Sequence, residues 1–126
     1  MGQQQLLLVV LGVIIVGIAI AVGMALFRSH SIDEKRGLLI NEGSSLASLA
    51  MSYYRKPASL GGGGRSFIGW TIPVDMTTTA TGSFTSTAYT DSLVITGTGN
   101  EVVTGTDSVK VRITVLANRF YSTIVN

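Results

Sequence analysis

His30 is the only histidine in this chain, and there is no cysteine at all. Imidazole and thiolate are the groups that most often bind metals or activate nucleophiles near neutral pH. The carboxylate nearest to His30 in sequence is Asp33, and one such pair falls short of the three or four protein ligands that a zinc site takes. A Ser-His-Asp arrangement would need His30 to meet a distant serine, and no G-x-S-x-G elbow occurs to present one. Gly61-Gly62-Gly63-Gly64 followed by Arg65-Ser66 offers backbone amides beside a cation, as a phosphate loop does. It lacks both the GxxxxGK[ST] and the GxGxxG spacing, so a structural loop is expected. Asp75, Asp91, Glu101 and Asp107 are scattered among turn residues, where Asp91 and Asp107 suit turn capping better than calcium. Tyr53-Tyr54-Arg55-Lys56 joins two rings to two cations, a set able to stack on a ligand. Arg and Lys near a helix C-terminus also complement its dipole, and the structural account is preferred. The expectation is a protein without catalytic residues, metal or cofactor.

The elements around these residues say more. From residue 6 to residue 27 the chain reads LLLVVLGVIIVGIAIAVGMALF, and no charged side chain precedes Arg28. At about 1.5 Å per residue these 22 positions form a helix of about 33 Å, enough to cross the hydrocarbon core of a bilayer. The stretch is longer than the 7–15 apolar residues of a secretory signal, and Gly2-Gln3-Gln4-Gln5 supplies no basic n-region. A retained segment is therefore expected. A myristoylation site would need Ser or Thr at position 6, which is Leu.

Of the 126 residues, 9 are Lys or Arg and 7 are Asp or Glu, giving a net charge of +2. The basic residues form no dense patch, so nucleic acid is not an expected partner. About 70 residues after Pro57 remain for a head, close to the lower limit for a self-sufficient core, and no disulfide can assist it.

Residues 28–56 are amphipathic. Ile32, Leu39, Leu46 and Tyr53 recur every seven residues with Leu49 and Ala50 beside them, a helical stripe. Pro57 ends the helix, and Gly37 and Gly43 weaken its middle by about 1 kcal/mol each relative to Ala. Helix 1–56 is expected to run nearly continuously for about 80 Å, with 1–27 apolar and 28–56 amphipathic, followed by a β-rich head at 57–126. In the head, Phe67, Ile68, Trp70 and Ile72 form an aromatic and aliphatic cluster expected to pack on the helix. Strands are expected at 82–90, 92–96, 100–104 and 120–125, with the clearest at 109–115, where VKVRITV alternates strictly. Turns are expected at Gly97-Thr98-Gly99-Asn100 and Gly105-Thr106-Asp107. The fold class is α+β: one long N-terminal helix packed against a small antiparallel sheet of about four strands. Leu39, Leu46, Ala50 and Tyr53 are the candidate helix–head packing residues. Thr77, Thr78, Thr79 and Thr81 begin a hydroxyl-rich surface suited to an extracellular face and to O-glycosylation; no Asn-x-Ser/Thr acceptor occurs.

A helix with an apolar first half and an amphipathic second half, carrying a C-terminal antiparallel sheet, resembles a type IV pilin or pseudopilin. The resemblance covers the whole chain as an architecture. Members of that family typically have a basic leader ending in Gly and a Glu at the fifth mature position. Here the fifth residue is Gln5 counted from Met1, or Leu7 counted from Gln3 after a cut at Gly2, and no basic residue precedes the apolar run. The family's frequent proline in the apolar half is also absent, with Gly12, Gly17 and Gly23 as sites of local loosening.

The resemblance implies a subunit that polymerises into a surface filament through its N-terminal helix, after insertion in the membrane, with an assembly ATPase and platform proteins as partners. The candidate assembly residues are Gln3, Gln4, Gln5, Leu6, Leu8, Leu11, Gly12, Ile15, Gly17, Ile18, Ala21, Val22, Gly23 and Phe27. Gly17 with Ala21, and Ala19 with Gly23, are small residues four apart that permit close helix approach. The alternative expectation is a single-span anchored protein or a minor pseudopilin with a small binding head. Arg28, Lys35 and Arg36 favour it, because the positive-inside rule would place the head in the cytoplasm.

Overall fold

A computed structural model of the chain describes residues 2–126. One helix, α1, spans Gly2–Arg55 without interruption. A 3-10 turn at Ala58–Leu60 and a four-residue helix, α2 (Val74–Thr77), lead to strands β1 (Gly82–Ala88), β2 (Ser92–Thr104), β3 (Asp107–Leu116) and β4 (Phe120–Ile124). The strands form one antiparallel meander in the order β1-β2-β3-β4. The fold is α+β, and the chain divides into two compact units, residues 1–31 and residues 32–126.

In the second unit the helical stripe meets the alternating strands. Leu39, Leu46, Ala47 and Ala50 are fully buried on α1. Phe84 of β1, Leu93 and Ile95 of β2, and Val109, Val111, Ile113 and Val115 of β3 close the same core from the sheet. Ile32 and Tyr53 are half-buried at its margin, whereas Leu49 falls outside the contact face and is exposed. Gly43 does not interrupt the helix. It sits where a Cβ would collide with the Ile113 side chain, so the missing side chain lets α1 lie directly on β3.

The Gly97-Thr98-Gly99-Asn100 segment is a strand rather than the expected turn. β2 runs straight through it for 13 residues, and the separate strand expected at 100–104 is its continuation past a register shift between Thr98 and Val102. The two glycines point at the core, where a Cβ on Gly97 would press on Phe84 and one on Gly99 would reach Leu39 and Val109. Glycine here makes room for the larger side chains around it. Gly105 does form the expected turn, with φ 56°.

The Gly61–Gly64 run has its own task. The last carbonyls of a helix have no partner within it. Gly63 N–H donates to Tyr53 O at 2.8 Å, Arg65 N–H to Tyr54 O at 2.9 Å and Gly64 N–H to Lys56 O at 3.0 Å. The loop folds back over the C-terminus of α1 and closes it. Three of its residues take left-handed backbone, Gly61, Gly64 and Arg65, and a Cβ on Gly63 would strike the Ser66 carbonyl. Beside the cap the Tyr53 hydroxyl donates to Ile68 O, and Tyr54 stacks on the buried Phe67 with ring centroids 4.7 Å apart. Trp70 is buried too, while Ile68 remains exposed.

A polar latch joins α1 to the start of the sheet. Glu42 accepts hydrogen bonds from Thr79 Oγ1 and Thr81 Oγ1, each at 2.9 Å. Thr81 is the only buried polar or charged residue among those described. On the opposite flank Arg36 Nε donates to Asn126 O, and the Asn126 amide donates to Ser108 O.

Substitutions at Glu42, Gly63 and Gly37 test this packing. Replacing Glu42 by Ala strands the buried Thr81 hydroxyl and leaves Thr79 Oγ1 only its longer bond to Gly82 O, and should lower unfolding stability by about 2 kcal/mol, with Glu42→Gln losing less; denaturant titration reads both. Gly63→Ala should destabilise by more than 1 kcal/mol through the blocked cap. Gly37→Ala, on an exposed helical site with open space around it, should instead stabilise by about 1 kcal/mol.

Candidate assembly surface

Every residue from 2 to 30 is exposed. The side chains expected to assemble therefore line one element on all its sides: Gln3, Gln4 and Gln5 at its start, then Leu6, Leu8, Leu11, Gly12, Ile15, Gly17, Ile18, Ala21, Val22, Gly23 and Phe27. The large apolar residues among 6–27 are 52–77% exposed. An 18-residue window of α1 reaches a mean hydropathy of 3.1 with none of it buried. By length and composition this segment can span a membrane; a signal sequence near an N-terminus has the same character.

Glycine in a helix needs a reason, since each costs about 1 kcal/mol relative to Ala. Gly43 has one inside the chain. Gly12, Gly17 and Gly23 have none, because a Cβ added at any of them meets nothing within 4 Å. Their small size is thus available to whatever lies against the helix from outside.

The residues with chemical potential are not brought together. His30 is exposed on α1, and the described residues contain no group of three or more His, Cys, Asp or Glu able to hold a metal ion. Asp75 lies in the first turn of α2, Asp91 in the β1–β2 turn, Glu101 within β2 and Asp107 at the head of β3. Gly61–Gly64 caps a helix C-terminus, where carbonyls rather than amides point outward, the wrong polarity for a phosphate. Tyr53 and Tyr54 are engaged with Ile68 and Phe67.

Sequence reasoning missed the Glu42–Thr79–Thr81 latch and the Arg36–Asn126 contact. Glu42 stands three residues from Leu39 and four from Leu46, which places it on the flank of the buried stripe. That was the available signal, but nothing in the sequence pointed to the threonines that meet it.

Compared with protein-family models, curated proteins and solved structures, the chain matches nothing in any of the three. Its likeness to pilins remains architectural: a long N-terminal apolar helix followed by a small antiparallel sheet.

Proposed function

We propose that this chain is a structural protein, a subunit of a type IV pilus-like filament at the cell surface that polymerises through residues 6–27. The observation carrying this reading is an uncharged apolar helical segment, exposed on every side, whose glycines have no role within the chain. An all-round apolar helix must be surrounded by lipid or by other apolar helices, and the subunit uses both in turn. It inserts in the membrane first and is then drawn into the filament, where neighbouring helices replace lipid. Lipid tails are as apolar as leucine, so this exchange gains little free energy by itself. Extraction then needs an energy source, such as an assembly ATPase acting through a membrane platform. Gln3, Gln4 and Gln5 supply amide hydrogen bonds between neighbouring subunits at the buried end.

A second reading rests on a different observation. Arg28, Lys35 and Arg36 follow the apolar run. By the positive-inside rule these charges favour a cytoplasmic head on a single-span anchor. Protease digestion of intact and of lysed cells separates the two orientations, because a head outside the membrane is cut in both and a cytoplasmic head only after lysis.

The filament reading is tested by electron microscopy of material sheared from cells, with mass spectrometry of the same fraction. Thin uniform fibres dominated by this chain are the expected result. Recovery of the chain only as a detergent-soluble monomer from the membrane pellet would replace the filament by the anchored head. Gly17→Leu should abolish fibres while leaving helicity and membrane insertion intact, since Gly17 has open space around it in the single chain.

A further inference from the structure

The meander leaves the outer hydrogen-bonding side of β4, and part of that of β1, unused by the described strands. In an antiparallel ladder, residues whose N–H and C=O groups face the neighbouring strand alternate with residues whose groups face away. Leu116 N–H donates to Arg119 O, and Val125 N–H donates to Lys110 O. With Ile113 opposite Ser122, the outward-facing residues of β4 are therefore Phe120, Ser122 and Ile124. On the other edge Tyr89 N–H donates to Ser92 O, which turns Phe84, Ser86 and Ala88 outward. The first part of that edge is already covered, because Thr79 N–H donates to Gly82 O and Thr78 bridges to Ser83. The open part of β1 runs from the Phe84 carbonyl to Ala88, and it matches β4 in length.

Natural sheet edges discourage pairing with Lys, Pro, inward-pointing charge or bulges. Neither edge has such a device: β1 is GSFTSTA, β4 is FYSTI, and β1 pairs with β2 without a register shift. All five residues of β4 are exposed.

We propose that the β4 edge of one copy pairs with the β1 edge of the next, so that the sheet continues from head to head. Direction decides for this pairing. In a four-stranded meander β1 and β4 run antiparallel, so the next copy's β1 meets β4 antiparallel when both copies point the same way. Ser122 then lies opposite Ser86, Phe120 opposite Ala88 and Ile124 opposite Phe84, with their side chains on the helix-bearing face. Thr123 faces Thr85 and Tyr121 faces Thr87 on the other side. Phe120 meets the small Ala88, Ile124 meets the apolar Phe84, hydroxyls meet hydroxyls, and no charge enters the contact. Such cross-strand pairs stabilise antiparallel sheets. The contact is heterologous and does not close on itself, so it propagates. Pairing β4 with β4 of a second copy would instead create a two-fold axis and reverse residues 32–55 of one helix against the other. A two-fold pair also closes on itself and leaves the β1 edge of both copies unmatched. The proposal goes beyond the filament reading, since it assigns a contact to the heads that holds equally for copies side by side in a membrane.

The absence of cysteine makes the test direct. Full-length chain carrying Ser86→Cys and Ser122→Cys is oxidised in native membranes. Directly opposed residues lie about 5.5 Å apart between Cα atoms, within disulfide reach. The expected result is a ladder of dimers, trimers and higher species, with neither single variant cross-linking. Dimers from Ser122→Cys alone would overturn the proposal in favour of two-fold pairing. Failure of the double variant to cross-link, with both thiols still open to maleimide, would overturn it outright. Adding Ile124→Pro removes an N–H that faces away from β3, so β3–β4 pairing and thermal unfolding should hold while the ladder falls by about tenfold; an undiminished ladder would also overturn it. Fibres without a ladder would sink the edge pairing and keep the filament reading, and a ladder without fibres would do the reverse.

Discussion

Residues 6–27 present an apolar surface that the chain leaves wholly exposed. Covering roughly 1,000 Å² of such surface is worth about 25 kcal/mol relative to water, more than the 5–15 kcal/mol that typically holds a domain together. This term sets where the molecule resides. Only lipid or other apolar chains can cover such a helix. The scattered carboxylates, the lone histidine and the glycine loop do not compete with it, since each has either no partner chemistry or a local structural use.

Glycine distribution separates the parts of α1 by their neighbours. At Gly43 the missing side chain admits Ile113, and the neighbour belongs to the same chain. At Gly12, Gly17 and Gly23, as at Gly37, no other part of the chain comes within 4 Å of an added Cβ, so only a neighbour from outside the chain could use the space. Lipid has little use for small residues, because acyl chains conform to any helix surface. A second helix does, because backbones approach closely only over small residues and dispersion grows with that approach. The serines of the second half obey a related rule. Ser44, Ser45, Ser48 and Ser52 each donate their hydroxyl to the carbonyl one turn back, which satisfies polar groups without solvent.

Much of this was legible in the sequence because two periods do not overlap. Leu39, Leu46 and Ala50 follow a helical repeat, VKVRITV follows a repeat of two, and burial lies where those repeats put it. Legibility ended at glycine. Gly97 and Gly99 carry a turn-like composition, yet both lie inside β2, because Phe84, Leu39 and Val109 occupy the space their side chains would need. Spacing along the chain cannot reveal a neighbour that arrives from another strand. Gly61–Gly64 was identifiable as a loop, but its use as a helix cap depends on which carbonyls lie within reach. The Glu42 latch was hidden for the same reason, since its partners are 37 and 39 residues away.

The head itself is narrowly built. One helix covers the sheet, and the fully buried strand residues come from β1, β2 and β3. β4 lies beyond that cover. Phe120 and Ile124 share a face with Val115 and Val111, their cross-strand partners, yet are 38% and 54% exposed. A core this small, without disulfides, has little stability in reserve. Anything that binds the folded head and not the unfolded chain adds to that reserve by mass action. An open, uncharged edge strand at the margin of a thin core thus joins folding to association. Neighbours that satisfy the strand would stabilise the fold that presents it.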